Sequence, residues 1–259
     1  MIQSVERAAQ ILKALGSDAP RLGITELSER LGLAKATVYG LLRTLESEQL
    51  VEQDAETGKY RLGPALLQLG NTFLDNHELR ARSLLWSESL ANRANEAVKV
   101  GVLHGASILI VHHVFRPDNS VQLLEVGASI PWHACAVGKA IVASLAPQRR
   151  VELIQGDLPR LTGHTITSPA ALTNELAKVD RLGYAVEDQE TIIGEAGIAS
   201  PVFDNRGGVA GSIGVSGPAE RLVPSGPDPA ILASVREVAR ALSRDLGAGR
   251  AHSRGSLGG

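Results

Sequence analysis

One segment, residues 24–62, restricts the fold of this chain more than any other, because it reads as two short helices followed by a hairpin. Its sequence is ITELSERLGLAKATVYGLLRTLESEQLVEQDAETGKYRL. The first helix has Thr25 as its expected N-cap and ends at Gly32, since glycine readily takes the left-handed conformation of a helix C-cap. The second helix is predicted over 35–48, where apolar residues recur at helical spacing. Its expected buried stripe consists of Val38, Leu41, Leu42 and Leu45.

The opposite face of the second helix carries small, polar and basic side chains. Between Leu31 and Leu45 the chain has two cations, Lys35 and Arg43, and no acid. The segments LVEQD and KYRLG then predict a hairpin around the turn 55–58, which places a wing beside the helix. Proteins present a helix to the major groove of DNA in this arrangement. The residues expected to face DNA are Lys35, Ala36, Thr37, Tyr39, Gly40, Arg43, Thr44, Lys59 and Arg61.

Each class of side chain on this surface has an expected contact. The candidates for reading base edges are Thr37, Tyr39 and Thr44. Lys35 and Arg43 reach either phosphate or guanine. On the wing, Lys59 and Arg61 would touch phosphate or the minor groove.

Length and composition set limits on the rest of the chain. The 259 residues suit two domains, and the net charge of −2 does not by itself indicate a nucleic-acid binder. Residues 1–62 carry eight Lys/Arg and nine Asp/Glu, so the DNA hypothesis rests on where these charges lie. No run of 18 apolar residues and no signal peptide is present, which predicts a cytoplasmic protein without membrane association. The single cysteine, Cys135, excludes a disulfide within the chain and a Cys-x-x-Cys metal site.

The domain organisation follows from composition and periodicity. Gly63-Pro64 marks a boundary, since proline suits the first position of a new helix. The helix in the linker, residues 63–76, is apolar on more than one side, which favours a dimer contact; a helix within one core is the alternative. Residues 77–247, including a short strand expected at 122–126, predict an α+β domain with a mostly antiparallel sheet. The glycine-rich residues 248–259 are expected to be disordered.

Enzyme signatures start in two places and are not completed. Gly138-Lys139 resembles the end of a phosphate loop, but Ala140 stands where that loop needs Ser or Thr. Residues 214–218 begin like a nucleophile elbow and end in proline instead of glycine. His112-His113 is predicted on a strand, where adjacent side chains point to opposite faces and do not share a metal ion. No catalytic residue, cofactor or metal is therefore expected, and an enzyme or ligand-binding module with an appended helical domain is the remote alternative.

Acidic residues cluster at the end of a predicted strand, at Glu187, Asp188 and Glu190. The cluster is either a solvated turn or one polar wall of a ligand pocket. In a pocket, a carboxylate there would favour hydroxyl-bearing or cationic ligands over simple anions.

Six segments, in order, resemble the IclR family of bacterial transcriptional regulators over residues 2–247. They are SVERAAQILKAL, ITELSERLGLAKATVYGLLRTL, YRLGPALLQLG, WHACAVGKAIVASL, LGYAVEDQETIIGEAGIASPVFD and VAGSIGVSGPAERL. The resemblance implies a winged helix-turn-helix DNA-binding domain at 1–62 joined to a GAF/PAS-like α+β effector domain at 77–247. It also implies a small-molecule effector and homodimers, often dimers of dimers, on palindromic operators in double-stranded DNA.

The resemblance implies an effector site between the sheet and residues 133–139. Carried over by position, the effector-binding residues are Cys135, Ala136, Val137, Gly138, Lys139, Glu187, Gly214 and Ser216. Gly214 stands where the best-studied pattern has serine, and Glu187 where it has aspartate, which disfavours small α-keto acids that use that serine. In the recognition helix, Gly40 replaces an arginine common in the family, which removes one expected DNA contact.

Within the family, HHVFRPDNSVQLLEVGA, GLLRTL, NHELRAR and SRDLGAG are most similar to actinobacterial glycerol-operon regulators. This similarity implies a repressor of a glycerol catabolism operon, released by glycerol 3-phosphate or a related polyol phosphate. The helix that begins near Cys135 and carries Lys139 would offer the site for the phosphate. An activator or dual regulator of another catabolic operon is the alternative, since the sign of regulation depends on the position of the operator.

Overall fold

The computed structural model describes residues 2–17, 21–118 and 122–249. The chain divides after Asn76 into two compact units. Among the described residues, no helix combines the length and the apolar character that crossing a membrane requires.

The first unit consists of three packed helices, a hairpin and a fourth helix. Its elements are α1 (Gln3–Leu15), α2 (Ile24–Leu31), α3 (Lys35–Ser47), β1 (Val51–Gln53), β2 (Tyr60–Leu62) and α4 (Ala65–Asp75). One apolar core holds the first three helices and the hairpin together. Its buried residues are Ile11, Ala14, Leu15, Leu22, Leu27, Val38, Leu42, Leu45, Val51 and Tyr60. The core therefore fixes α3 against α2 and leaves the far side of α3 uncovered by this unit.

Helix α2 ends as its sequence predicts and begins differently. Gly32 has a φ of 64°, and its amide donates to the Ser28 carbonyl. The expected N-cap, Thr25, is wrong, because the helix starts two residues earlier with Gly23 in the cap position. The Glu26 carboxylate accepts a hydrogen bond from the Gly23 amide at 2.6 Å. An acid in the first turn thus satisfies the helix start instead of a hydroxyl.

The predicted hairpin is present, with β1 and β2 antiparallel over their full length. Asp54 closes the turn between them: its Oδ1 accepts from the amides of Glu56 and Thr57 at 3.1 and 2.9 Å. Gly58 has a φ of 67°, a conformation that suits glycine. The wing is therefore held by local bonds within the turn as well as by strand pairing.

Helix α4 has no buried residue in the single chain. Its large apolar side chains that are more than half exposed are Leu67, Leu69 and Phe73. The start of α4 is fixed to the unit, because the Ala65 amide donates to the Gln49 carbonyl at 3.2 Å. Gly63 lies so close to Gln49 that a Cβ there would sit 2.2 Å from the carbonyl oxygen, so this position requires glycine.

The second unit is an α+β domain. Its elements are α5 (Glu78–Ala94), β3 (Ala97–His104), β4 (Ser107–Val114), β5 (Ser129–Pro131), a 3₁₀ turn (Trp132–Ala134), α6 (Ala136–Ala143), α7 (Pro147–Ile154), α8 (Pro169–Leu182), β6 (Ala185–Asp188), β7 (Glu195–Phe203), β8 (Val209–Pro218), α9 (Ala219–Leu222) and α10 (Pro229–Asp245). The strands form one six-stranded sheet in the order β5-β4-β3-β8-β7-β6. Every pairing recorded in it is antiparallel, which confirms the predicted class.

Helices cover both faces of this sheet. Two successive residues of β8 show this, since strand side chains alternate between faces. A Cβ on Gly211 would touch the side chain of Leu79 on α5. The Ser212 hydroxyl, on the other face, donates to the Val137 carbonyl of α6 at 2.8 Å. Helix α6 therefore lies on one face, and its eight residues are all buried.

One expectation for the second half of the chain is wrong, and another falls mostly outside the described residues. The strand expected at 122–126 is wrong, because residues 122–126 form no strand and β5 pairs with β4 slightly later in the chain. Backbone bonds between Ile110 and the turn at Gly127 and Ala128 return the chain to the sheet there. Of the tail predicted to be disordered, residues 248–249 form a turn and residues 250–259 lie outside the described residues.

Candidate DNA-binding surface and effector site

The outward face of α3 is accessible along its length. Val38, Leu42 and Leu45 are buried in the core of the first unit. The exposed residues on the opposite side are Lys35, Ala36, Tyr39, Gly40, Arg43 and Thr44, with Thr37 half-buried. Leu41, expected in the buried stripe, is also only half-buried. Tyr39 is 51% exposed, which leaves a large amphipathic side chain available for contact.

Gly40 is not required by packing. A Cβ added to it would meet no atom within 4 Å, and its φ is not in the left-handed region. The Thr44 hydroxyl donates to the Gly40 carbonyl at 3.2 Å, which occupies the proton of that hydroxyl in this state. Glycine costs a helix interior about 1 kcal/mol relative to alanine, so Gly40 opens space on this face at the expense of helix stability.

Three of the four cations predicted to face DNA are paired with partly exposed acids. Arg43 lies 3.2 Å from Glu46 on α3 itself. On the wing, Lys59 lies 3.0 Å from Glu26 and Arg61 lies 2.9 Å from Glu52. The bond from the Gly23 amide, and then Lys59, lowers the pKa of Glu26, so this acid is ionised at neutral pH. Exposed pairs contribute about 0–1 kcal/mol, so an incoming phosphate replaces the acid at little cost.

In the second unit, a cavity of about 410 Å³ lies between α6 and the sheet, and we call it the α6 cavity. Of the residues carried over from the family, those that line it are Cys135, Ala136, Val137, Glu187 and Ser216. The remaining three, Gly138, Lys139 and Gly214, lie outside its lining. The structure thus brings most of the predicted site together and separates three of its members from it.

Local packing explains why the two glycines, Gly138 and Gly214, do not line the cavity. A Cβ on Gly138 would lie 2.1 Å from the Trp132 carbonyl oxygen, and one on Gly214 would lie 2.5 Å from the Ala199 Cβ. Both glycines serve close backbone approach instead of lining the cavity.

Lys139 is fully buried and does not offer a phosphate site to the α6 cavity. Its ammonium group is ion-paired with Glu190 and donates to the Val186 carbonyl at 3.2 Å. The expectation that Lys139 is available to an anionic ligand is therefore corrected, because a buried acid already neutralises it.

Glu187 is the most buried of three acids that line the cavity; the others are Glu125 and Glu195. Glu187 is 6% exposed and lines the cavity wall. Burial raises its pKa to about 7, against the opposing effect of two backbone donors. These are the amides of Thr191 and Glu190, which donate to its Oε1 at 3.1 and 2.9 Å. Glu187 and Glu190 are both buried, so the solvated-turn interpretation holds for Asp188 alone.

Cys135 is a neutral wall of the α6 cavity. Burial raises the pKa of its thiol to about 12, so the thiolate is not populated at neutral pH.

The cavity also contains cations that sequence reasoning missed. Lys99 of β3 lines it and lies 2.8 Å from Glu125. Arg116 lines it too, paired with Asp118 and 3.7 Å from Glu96. Strand alternation from Ala97 places Lys99 on the face towards α6, and that signal could have found it.

His113 also lines this cavity, and its Nδ1 accepts from the Glu125 amide at 3.3 Å. Burial lowers the pKa of His113, so its ring is neutral at pH 7. Its neighbour His112 does not line the cavity, which agrees with the predicted alternation of the two side chains.

Comparison with known proteins places both units in one family. The model of the IclR helix-turn-helix domain matches residues 4–55, and that of the C-terminal domain of IclR bacterial transcriptional regulators matches residues 71–244. A "Glycerol operon regulatory protein" of Streptomyces griseus is 48% identical over 250 residues, covering 96% of this chain and 98% of the relative. Its namesake in Streptomyces coelicolor is 47% identical over 250 residues with the same coverage.

A solved structure agrees with the sequence relatives. An IclR transcriptional regulator from Alicyclobacillus acidocaldarius has a TM-score of 0.81 and 26% identity, covering 95% of this chain and all of that one. The two domain models match in order along one chain; the first match includes α3, and the second includes every residue that lines the α6 cavity. This chain belongs to the IclR family of bacterial transcriptional regulators.

Proposed function

We propose that this regulator represses a glycerol catabolism operon and is released by a small polyol phosphate such as glycerol 3-phosphate. The observation that carries the proposal is the near full-length identity of 48% and 47% to two proteins named as glycerol operon regulators. The composition of the α6 cavity supports the ligand class, and the exposed face of α3 supports the DNA contact.

The DNA contact is assigned to α3 and the wing. Arg43 and Lys35 are exposed cations on the outward face of α3, and Tyr39 lies between them with half of its surface free. Arginine reads guanine with two hydrogen bonds, whereas lysine favours phosphate as a point charge. On the wing, Lys59 and Arg61 would exchange Glu26 and Glu52 for the phosphate backbone.

Dimerisation is assigned to the exposed apolar side of α4. Leu67, Leu69 and Phe73 are exposed in the single chain, and burial against a second copy would remove this surface from water. Two copies joined there present two α3 helices to two half-sites of a palindrome. A dimer of dimers would extend the same contact along a longer operator.

The α6 cavity suits a small ligand with one anionic end and several hydroxyls. Its volume of about 410 Å³ lies in the range of small-molecule sites. Lys99 is on β3 and Glu187 on β6, which are three strands apart in the sheet, or about 14 Å between backbones. A phosphate would bind at the Lys99 and Arg116 end. Hydroxyls would bind near Glu187, whose raised pKa limits its repulsion of the anion.

Release from DNA requires that the ligand favours one arrangement of the dimer over another. A ligand shifts such an equilibrium only by its differential affinity for the two states. A ligand that contacts both β3 and β6 across the α6 cavity would provide such a difference, because these contacts connect separate parts of the domain.

The test is a gel-shift titration of the full chain on duplex DNA from the region upstream of its own gene. We expect specific retardation that glycerol 3-phosphate abolishes and that equal concentrations of glycerol or inorganic phosphate leave intact. Lys99→Gln should retain retardation and lose the response to glycerol 3-phosphate. Retardation that ignores glycerol 3-phosphate would reject the effector, and a complete lack of specific retardation would reject the DNA contact.

A further inference from the structure

A second cavity of about 540 Å³ lies on the effector domain, and we call it the α10 cavity. None of its lining residues also lines the α6 cavity. It lies beside the start of β6, where β7 continues past Ala199 with its edge left open, between the ends of α6 and α8 and one side of α10. Pro201 occupies that edge of β7, where a residue without an amide proton is tolerated.

The α10 cavity has a strong excess of positive charge. Arg236, Arg240 and Arg244 line it from successive turns of α10. Within the described part of the chain, none of these three guanidinium groups has an ion-pair partner. Among the described residues of the lining, Asp180 is the one carboxylate, and it already lies 3.7 Å from Arg150. By contrast, the α6-cavity cations Lys99 and Arg116 each have a carboxylate partner.

A buried hydroxyl points to a missing partner in the same cavity. Ser200 on β7 is 2% exposed, lines the α10 cavity and makes no hydrogen bond to any described residue. Two neighbouring serines in the lining are satisfied: Ser243 accepts from the Phe203 amide at 3.0 Å, and Ser144 donates to the Ala140 carbonyl at 3.0 Å. Buried polar groups in proteins are normally hydrogen-bonded. A ligand in this cavity would supply the partner that the Ser200 hydroxyl lacks.

The positions of the three arginines along α10 argue against a role limited to stabilising the C-terminal end of that helix. Cations near the last turn of a helix interact favourably with its negative end. Only Arg244 lies in that last turn, whereas Arg236 lies more than two turns earlier. The helix dipole therefore does not explain the row as a whole.

We propose that the α10 cavity is a second ligand site, for a small metabolite with a dianionic head group such as a phosphate ester or a polycarboxylate. Guanidinium groups match carboxylate and phosphate oxygens with paired hydrogen bonds. Arg240 and Arg244 would hold the head group, and the Ser200 hydroxyl would donate to it. The volume fits a ligand of this size. The regulator would then sense a second metabolite at a site separate from its effector cavity.

Thermal-shift and calorimetric titrations of the full chain test this proposal, with inorganic pyrophosphate and citrate as probes at constant ionic strength set with NaCl. We expect saturable binding of at least one probe by the wild type, and about tenfold weaker binding by Arg240→Gln. Ser200→Ala should keep its melting temperature without ligand and bind several-fold more weakly. Arg82→Gln is the matched control, because it removes the same charge from an exposed position on α5 outside both cavities.

The outcomes separate the two sites. Binding that survives in Lys99→Gln and weakens in Arg240→Gln supports the α10 cavity. Binding that is lost in Lys99→Gln and unchanged in Arg240→Gln places the probe in the α6 cavity and overturns the proposal. Equal losses in Arg240→Gln and Arg82→Gln, or no saturable binding of either probe by the wild type, also overturn it.

Discussion

The outward face of α3 and the interior of the second unit both contain ion pairs, but the two pairs differ in how far they are exposed to water. On α3 the Arg43–Glu46 pair has side chains that are 62% and 30% exposed. In the effector domain the Lys139–Glu190 pair has side chains that are 1% and 7% exposed. Exposed pairs contribute little and exchange partners easily, whereas breaking a buried pair leaves an uncompensated charge. The first unit therefore keeps its cations available for exchange, and the second uses its buried ions to hold the wall of a cavity.

The buried pair positions the segment that carries Glu187. Lys139 is fixed on α6 and reaches Glu190 and the Val186 carbonyl, one residue before Glu187. Thr165 adds a hydroxyl that donates to the Glu190 carbonyl at 2.7 Å. These bonds set the backbone from which Glu187 faces the cavity, so their loss should affect folding and ligand response together.

The largest expected effect is on stability when the buried pair loses one ion. Lys139→Met should lower the free energy of unfolding by about 3–5 kcal/mol, because Glu190 is left buried without its cation. Urea denaturation followed by circular dichroism measures this loss. Adding Glu190→Gln to Lys139→Met should recover a large part of the stability. A single variant as stable as the wild type would contradict the structural role of the pair.

The next largest expected effect is on the pH dependence of the free energy of unfolding, to which Glu187 contributes. Its pKa is about 7 in the folded chain, above the ordinary value of 4.5. A group with a raised folded pKa contributes stability that is fully present below pH 4.5 and is lost as pH rises through 7. The loss is on the order of 3 kcal/mol. The difference in free energy of unfolding between pH 5 and pH 8 should be smaller in Glu187→Gln than in the wild type, and equal differences would contradict the raised pKa of this carboxyl.

Substitutions on the outward face of α3 should change the affinity for operator DNA and have little effect on the stability of the fold. Arg43→Ala should weaken operator binding by about 1–3 kcal/mol, the cost of one good base contact. Its melting temperature should stay close to that of the wild type, because the lost ion pair is exposed. Fluorescence anisotropy with labelled upstream DNA measures the affinity at fixed salt. Unchanged affinity would exclude Arg43 from the interface.

The smallest effect tests whether the acid beside Arg43 competes with DNA. Glu46→Gln removes that competitor and one negative charge, so operator affinity should rise about two- to fivefold. The same anisotropy titration, run beside Arg43→Ala, checks the direction. Weaker binding by Glu46→Gln would mean that the ion pair orients Arg43 for its contact instead of masking it.

Sequence reasoning succeeded where the determining interactions are local. Gly32 and the stripe of Val38, Leu42 and Leu45 are readable within one turn or two of helix, and the structure confirms them. Strand alternation likewise separated His112 from His113.

Prediction from sequence failed where the residue that a side chain contacts lies far away along the chain. Lys139 was assigned to an anion site because its partner Glu190, 51 residues away, could not be paired with it from spacing alone. Lys99 was missed because the α6 cavity is assembled from strands that only the sheet order brings together. The open edge of β7 beside α10 is invisible in the sequence for the same reason.

The most direct measurement is the operator dissociation constant of the wild-type full chain as a function of glycerol 3-phosphate concentration, at constant salt. Coupling between two sites typically changes affinity by about 5–150-fold. We predict a saturable rise of the dissociation constant within that range, half complete at the ligand concentration that half-saturates the DNA-bound regulator. A dissociation constant that stays flat while the ligand is bound would contradict a ligand-released repressor.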